Sequence, residues 1–151
     1  YEPGDGIILG GYKIPCDYKT VAHSDGDVLL HSIADSILGA AGLGDIGMFF
    51  SDQDNKNKNL DSTIIIEYCL SELDKMGLEI YNIDTTIVCE NPKINPHRRK
   101  ILENLTDILK IPLSKIGLKA TTSEKIGIIG NNEAISVQSI VNLKDMSWKY
   151  C

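Results

Sequence analysis

The stretch from Asp27 to Ala41 constrains the fold more than any other part of the chain. Val28, Leu29, Leu30, Ile33, Ala34, Ile37 and Leu38 recur there at helical spacing, which predicts a helix with one broad apolar face. Ser24 or Asp25 is placed to cap its start, and Gly42 and Gly44 to stop it. A face that broad must be buried against other elements.

The rest of the chain supplies those elements. Gly6 to Ile14 reads as a hairpin arm broken at Gly10-Gly11. Asp61 to Met76 is a second amphipathic helix closed by Gly77, and Pro96 to Lys110 a third. Glu79 to Glu90 alternates β-branched and polar residues and is the strongest strand signal. Ile116 to Ala120 is a short strand. Ala134 to Leu143 is a last one, with Ile135, Val137, Val141 and Leu143 on one face. Ser51 to Asn59 is polar and aperiodic and reads as a mobile loop. The order β, α, α, β, α, β, β predicts an α+β sandwich, one mixed sheet with helices mainly on one face. No internal repeat or interdomain linker is present, and 151 residues suit a single domain spanning 1–151.

Composition excludes several classes. The chain is 42% hydrophobic and 24% charged, close to globular averages. No apolar run approaches the ~18 residues of a membrane span. Net charge is −6, and the only basic cluster, His97, Arg98, Arg99 and Lys100, opens an amphipathic helix, which argues against nucleic acid as a partner. Cys16, Cys69, Cys89 and Cys151 have no C-x-x-C spacing and read as free thiols of a reducing compartment. Tyr1 to Gly11 has neither a basic region nor a cleavage pattern, so no secretory signal is read there. Removal of a targeting segment stays open.

Four segments carry candidate chemistry. Asp27, His31 and Asp35 are spaced i, i+4, i+8 beside His23-Ser24-Asp25. They are either a metal setting with carboxylates flanking an imidazole or a solvated helix face. Thr121, Thr122, Ser123 and Glu124 follow a strand. Their hydroxyls and N–H groups can cradle phosphate and Glu124 can hold a hard cation, or the stretch is a helix cap. Asp45 to Asp54 sets acids around Phe49 and Phe50, either a lid with polyol-binding carboxylates or a solvated loop with an aromatic anchor. Glu90-Asn91-Pro92-Lys93, taken alone, is only a turn. No Walker A, G-x-G-x-x-G or G-x-S-x-G motif is present.

Together and in this order, AHSDGDVLLHSIADSILGAAGLGDIG (Ala22 to Gly47), NIDTTIVCENPK (Asn82 to Lys93) and KATTSEKIG (Lys119 to Gly127), with IILGGYKIP at the start, resemble the 2-C-methyl-D-erythritol 2,4-cyclodiphosphate synthase family of the non-mevalonate isoprenoid pathway. The resemblance implies a ferredoxin-like mixed sheet and a homotrimer with sites between subunits. It implies a phosphorus–oxygen lyase that converts 4-diphosphocytidyl-2-C-methyl-D-erythritol 2-phosphate to the cyclic diphosphate and CMP. By resemblance, His31 is a zinc ligand and Glu124 holds Mg²⁺ or Mn²⁺. His23 and Thr122 polarise or orient the phosphates, with Ser24, Thr121 and Ser123 against the substrate. Asp45, Ile46 and Gly47 meet sugar hydroxyls, and Phe50, Ser51, Asp52, Gln53 and Asp54 form the methylerythritol side. Cys89, Pro92, Lys93, Ile94 and Asn95 form the cytidine pocket. Asp27 and Asp35 support the metal ligands from behind.

The sequence departs from the family in two places. The family's D-x-H zinc pair belongs just upstream of the hairpin, ahead of Tyr1, so a zinc site built from this sequence is expected to be empty, weakly held or completed from outside it. The family's G-R-G-E-G stretch is here Gly130-Asn131-Asn132-Glu133-Ala134. Two other classes compete, a trimeric nucleotide-sensing module and a metal-dependent phosphatase using the His/Asp stripe. Asn/Lys/Ile-rich segments such as Asp54 to Leu60 point to an AT-rich genome. The compartment expected from that is a plastid-type organelle, an apicoplast or chloroplast stroma, with bacterial cytoplasm as the alternative.

Overall fold

A three-stranded mixed sheet organises the computed structural model, which describes residues 1–148. Its strands are β5 (Leu78–Val88), β6 (Ile116–Thr121) and β7 (Ser136–Asp145), ordered β6-β5-β7. β5 pairs β6 in parallel, with Val88 opposite Thr121. It pairs β7 antiparallel, with Val88 opposite Ser136 and an irregularity between Ile80 and Asn82.

The alternation read in the sequence sorts this sheet into two unlike faces. Ile83, Thr85 and Ile87 point inward, level with Val141, Ser139 and Val137 on β7 and with Ile116, Leu118 and Ala120 on β6. Three helices cover that face: α1 (Val28–Ala40) on β7 and β5, α3 (Ser62–Met76) on β5, and α4 (Arg98–Leu109) on β6. The opposite face, with Asp84, Thr86, Lys119, Gln138 and Ile140, is left open, and Ile140 is 67% exposed.

α1 buries Leu29, Leu30, Ile33, Ala34, Ile37 and Leu38. Each large side chain among them contributes about 1.5–3 kcal/mol, so packing rather than intrinsic propensity holds the helix. α3 starts at Asp61, whose carboxylate accepts from the Thr63 N–H, and ends at Gly77, whose φ of +69° is the left-handed cap that glycine suits. The hairpin of β2 (Ile7–Leu9) and β3 (Tyr12–Ile14) turns at Gly10 and Gly11, as expected. Smaller pieces complete the chain: β1 (Glu2–Pro3) paired with β4 (Tyr18–Lys19), α2 (Ile46–Phe49) and α5 (Gly127–Gly130).

The mixed sheet with helices on one face is as expected. Among the described residues it has three strands, one pair parallel and one antiparallel, so the paired βαβ halves of a ferredoxin-like sheet are not seen. Several boundaries differ from expectation, among them β7, which runs two residues later than the Ala134 to Leu143 read in the sequence, and β5, which ends two residues before Glu90. The cap of α1 is Asp27, not Ser24 or Asp25. α4 begins at Arg98 after a 3-10 turn over Asn95–His97. The polar loop after Ser51 contains a 3-10 turn at Asn55–Asn57, started by the Asp54 carboxylate accepting from the Lys56 N–H. Cys16, Cys69 and Cys89 are free thiols, whereas Cys151 lies outside the described residues.

Candidate active site

The first corner of the site forms where the loop before α1 meets the hairpin. Asp27 is fully buried. One carboxylate oxygen accepts from the Gly10 and Leu30 N–H groups, each at 3.0 Å, and the other from the Gly11 N–H at 2.7 Å. Burial pushes its pKa up to about 6, against the pull of those three donors. Asp25 is equally committed, accepting from the Ser62 N–H and hydroxyl and from the Asp27 N–H. These two carboxylates lock the His23-Ser24 loop between the helices. The Ser24 hydroxyl lies 3.3 Å from His31 Nε2. Burial lowers the His31 pKa, opposed by the charges of Asp25 and Asp35, so the imidazole is neutral at neutral pH. The His23 side chain is exposed, while its carbonyl accepts from the Asn59 N–H at 2.9 Å.

One turn along α1, Asp35 accepts from the Ile46 N–H at 2.8 Å. That bond hangs α2 beside the helix. Asp45 caps α2 by accepting from the Met48 N–H, leaving Gly47 exposed. Phe49 and Phe50 pack on Tyr68, with ring centroids 5.0 and 5.3 Å away. Ser51 follows half-buried and Asp52, Gln53 and Asp54 exposed. Phe49 and Phe50 thus anchor the segment on Tyr68, with Asp52, Gln53 and Asp54 exposed beyond them.

The second corner lies at the C-terminal ends of the parallel strands β5 and β6, where open α/β sheets place their ligands. The Cys89 N–H donates to the Thr121 carbonyl at 3.0 Å. Its thiol, raised in pKa chiefly by burial, donates to the Asn91 carbonyl at 2.9 Å. The turn then runs through Pro92 and exposed Lys93 to buried Ile94, which anchors it, and exposed Asn95. Opposite stands the Thr121–Lys125 loop, with Glu124 exposed and its N–H donating to the Thr122 hydroxyl at 3.2 Å. Asn91 reaches across to Asn132, amide nitrogen to amide oxygen, at 2.9 Å.

Tyr1 joins the corners. Its hydroxyl donates to the Asn91 carbonyl at 3.3 Å, its amine to the Glu133 carbonyl at 3.0 Å, and its ring stacks on Tyr18. It also lines a cavity of about 350 Å³ together with Thr20, His31, Glu133, Ala134 and Ile135. His31 therefore shares one cavity with Tyr1 and with the Glu133–Ile135 segment that leads into β7.

Within one chain the sequence-derived residues thus fall into two groups. His23, Ser24 and His31 continue along α1 to Asp45–Asp54, and Cys89–Asn95 stands against Thr121–Glu124. No hydrogen bond among the described residues links segment 45–54 to segment 121–124. Buried Asp27 fits neither the metal setting nor the solvated face weighed for the α1 stripe. Asp27 turns inward as a cap and Asp35 holds α2, so His31 alone remains available. No group of three His, Cys, Asp or Glu able to hold a metal occurs among the described residues. A catalytic zinc needs three protein ligands, and the residues present do not fit it. Sequence reasoning passed over Tyr1 entirely and took Glu90 for part of a turn. Glu90 is nearly buried, and its carboxylate accepts from the Ser123 and Lys125 N–H groups.

Comparison with known proteins follows this geometry. Residues 1–144 match the YgbB family. The chain is 45% identical over 149 residues to the bifunctional enzyme IspD/IspF of Aliarcobacter butzleri, covering 99% of this chain and 40% of that protein. The chain thus spans well under half the length of the bifunctional relatives. It is 43% identical over 140 residues to 2-C-methyl-D-erythritol 2,4-cyclodiphosphate synthase of Pseudomonas putida, covering 93% and 89% of the two chains. A solved structure of a 2-C-methyl-D-erythritol 2,4-cyclodiphosphate synthase, described as its CDP-bound form, superposes with a TM-score of 0.86 at 29% identity, covering 95% of this chain and 93% of that one. These two sequence relatives are bacterial and lend the plastid-type organelle no support. The chain belongs to the YgbB family.

Proposed function

We propose that this protein closes 4-diphosphocytidyl-2-C-methyl-D-erythritol 2-phosphate into 2-C-methyl-D-erythritol 2,4-cyclodiphosphate with release of CMP, a phosphorus–oxygen lyase reaction of isoprenoid biosynthesis. The observation that carries this is the pairing of the Cys89–Asn95 turn with the hydroxyl loop Thr121–Glu124 at the ends of two parallel strands. The turn is the segment assigned to cytidine, and the loop opposite offers the Thr122 hydroxyl as a phosphate donor. The names of the relatives and the CDP bound by the solved one support the same substrate class.

In the proposed step an oxygen of the 2-phosphate forms a bond to the β-phosphorus. The bond from that phosphorus to the α–β bridging oxygen breaks, and the bridging oxygen leaves on CMP. No water is consumed. Catalysis is positioning plus stabilisation of charge on the transferring phosphoryl. The Thr122 hydroxyl, which accepts from the Glu124 N–H and keeps its own proton to donate, holds the diphosphate. Lys93 offsets its charge. His23 and Ser24 orient the 2-phosphate, and Asp45 with Gly47 takes the sugar hydroxyls.

Zinc at His31 and Mg²⁺ or Mn²⁺ at Glu124 are part of the proposal and would supply charge neutralisation. Neither set is complete among the described residues, so no step here depends on them. The site is also divided: no hydrogen bond among the described residues links the methylerythritol segment 45–54 to the cytidine turn or to the loop 121–124. A homotrimer that places one subunit's cytidine corner against another's α1 would complete it, and the open sheet face bearing Ile140 offers a surface for it. The bacterial relatives favour a bacterial cytoplasm as the setting.

Product analysis tests the reaction. Equimolar CMP and cyclic diphosphate with no inorganic phosphate is the expected result. Inorganic phosphate would identify a phosphatase instead, and binding without product a sensing module.

A further inference from the structure

We infer that Glu90 is a positioning residue for the proposed reaction, holding the Thr122–Glu124 loop in its working shape without touching substrate. The inference rests on the function proposed above.

Glu90 follows the end of β5 and is 9% exposed. A single carboxylate oxygen, Oε1, accepts from the Ser123 N–H at 2.9 Å, the Lys125 N–H at 3.1 Å and the Ser123 hydroxyl at 3.3 Å. These donors lie on both sides of Glu124. Between them the backbone does something unfavourable: Glu124 and Lys125 have φ of +54° and +60°. Two successive non-glycine residues in the left-handed region persist only when the surroundings hold them there. Glu90 holds the loop from below. α5 holds it from the other side, where Gly130 approaches the Lys125 main chain so closely that a Cβ would not fit.

The consequence is directional. Two N–H groups of the loop are drawn inward onto Glu90, which turns the Glu124 side chain outward into solvent and leaves the Thr122 hydroxyl beside it. Those are the two side chains the proposed reaction assigns to the phosphates. The donors stabilise the charged form of Glu90 and hold its pKa below the usual carboxylate range. Glu90 therefore stays ionised, with its Oε1 taken up by the loop's donors.

The role needs an acceptor oxygen at the right reach, not a charge. Glu90→Gln keeps that oxygen. Glu90→Asp keeps the charge but withdraws the oxygen by one methylene. Glu90→Ala removes both. Steady-state CMP release, circular dichroism and hydrogen exchange at the Ser123 and Lys125 amides should be measured for wild type and all three. We expect Glu90→Gln to stay within about threefold of wild type in kcat. Glu90→Asp and Glu90→Ala should lose tenfold or more in kcat with KM changed by less than about threefold. Their two amides should exchange at least about tenfold faster. If Glu90→Ala fails to fold, Glu90→Asp carries the comparison. Wild-type kcat and exchange in Glu90→Asp would overturn the inference. So would Glu90→Gln as impaired in kcat as Glu90→Asp, because the charge itself would then matter. If the wild-type protein releases no CMP, the proposed function fails, and the exchange data alone decide whether Glu90 holds the loop.

Discussion

Asp27 and Gly11 are joined by a 2.7 Å hydrogen bond from backbone N–H to carboxylate at the turn of the hairpin. Through it, a helix cap and a hairpin turn share one side chain. The other Asp27 oxygen caps α1 at Leu30 and reaches Gly10. The loop carrying His23 and Ser24 is thus pinned immediately ahead of a carboxylate that cannot leave.

Replacing Asp27 with Ala should therefore destabilise the protein by roughly 2–4 kcal/mol, combining a lost cap with two unpartnered N–H groups. Urea unfolding measures this, and a loss below about 0.5 kcal/mol would contradict it. The pH dependence has a definite sign. The pKa in the folded protein is about 6, against 3.8 for a free Asp, so the folded state holds the proton more tightly. The stability this group contributes is greatest below the free value and declines as pH rises through about 6. Asp27→Asn cannot titrate. The stability of wild type minus that of Asp27→Asn should fall as pH is raised from about 4 to about 7, by at most about 3 kcal/mol. A difference that rises with pH would show that the three donors outweigh the burial.

How much of this was legible depended on which residues act locally. The apolar period of α1 and the alternation of β5 are local, and both elements appear where expected. The spacing of Asp27, His31 and Asp35 was correctly read as helical, but spacing says nothing about which way a capping side chain turns. Asp27 lies at the helix boundary and points in, toward glycines seventeen and sixteen residues away. Glu90 was opaque for the same reason, since its partners lie 33 and 35 residues on. Ser24 and His31 are seven residues apart and in contact, yet the sequence pattern did not specify that pairing either, because Ser24 lies in a loop whose path no periodicity sets.

Asn132 offers a second test. Its φ is +60°, and it occupies the position where the G-R-G-E-G pattern has its second glycine. Asn is the side chain that best tolerates this region, and here it also accepts from Asn91. Asn132→Ala should lose both the tolerance and the hydrogen bond. Asn132→Gly should lose only the bond. The glycine variant should be the more stable of the two by about 1 kcal/mol in thermal or urea unfolding. Equal stabilities would show that the backbone at this position relaxes away from the left-handed region.

Assembly can be tested on the open sheet face. Ile140 is 67% exposed on the side of the sheet that no helix covers. If that face lies between subunits, sedimentation at micromolar protein should show a trimer for wild type, and Ile140→Arg should shift it toward monomer with little change in monomer circular dichroism. CMP release should fall in parallel, because the two corners of the site would separate. A wild-type monomer, or an Ile140→Arg trimer of unchanged stability, would refute this arrangement.

The remaining prediction concerns zinc. His31 is neutral at neutral pH because burial lowers its pKa, so its nitrogen is ready to ligate, but the carboxylates around it are engaged elsewhere. Asp25 binds Ser62, Asp27 caps α1 and Asp35 holds Ile46. One imidazole does not hold catalytic zinc. Elemental analysis of residues 1–151 should therefore find zinc well below one ion per chain. Tyr1 lines the same cavity as His31, so a D-x-H pair joined ahead of Tyr1 would enter beside that imidazole. Such an extended chain should bind about one zinc per chain. His31→Ala in the extended chain should return zinc to background while leaving its unfolding free energy, measured without zinc, within about 1 kcal/mol of wild type, since the half-buried imidazole has one hydrogen-bond partner, Ser24. Lowering the pH below the ordinary histidine range should release the metal, because burial and the metal itself both oppose protonation of the ligating nitrogen. Full zinc occupancy in both the extended chain and its His31→Ala variant would place the metal elsewhere in the molecule.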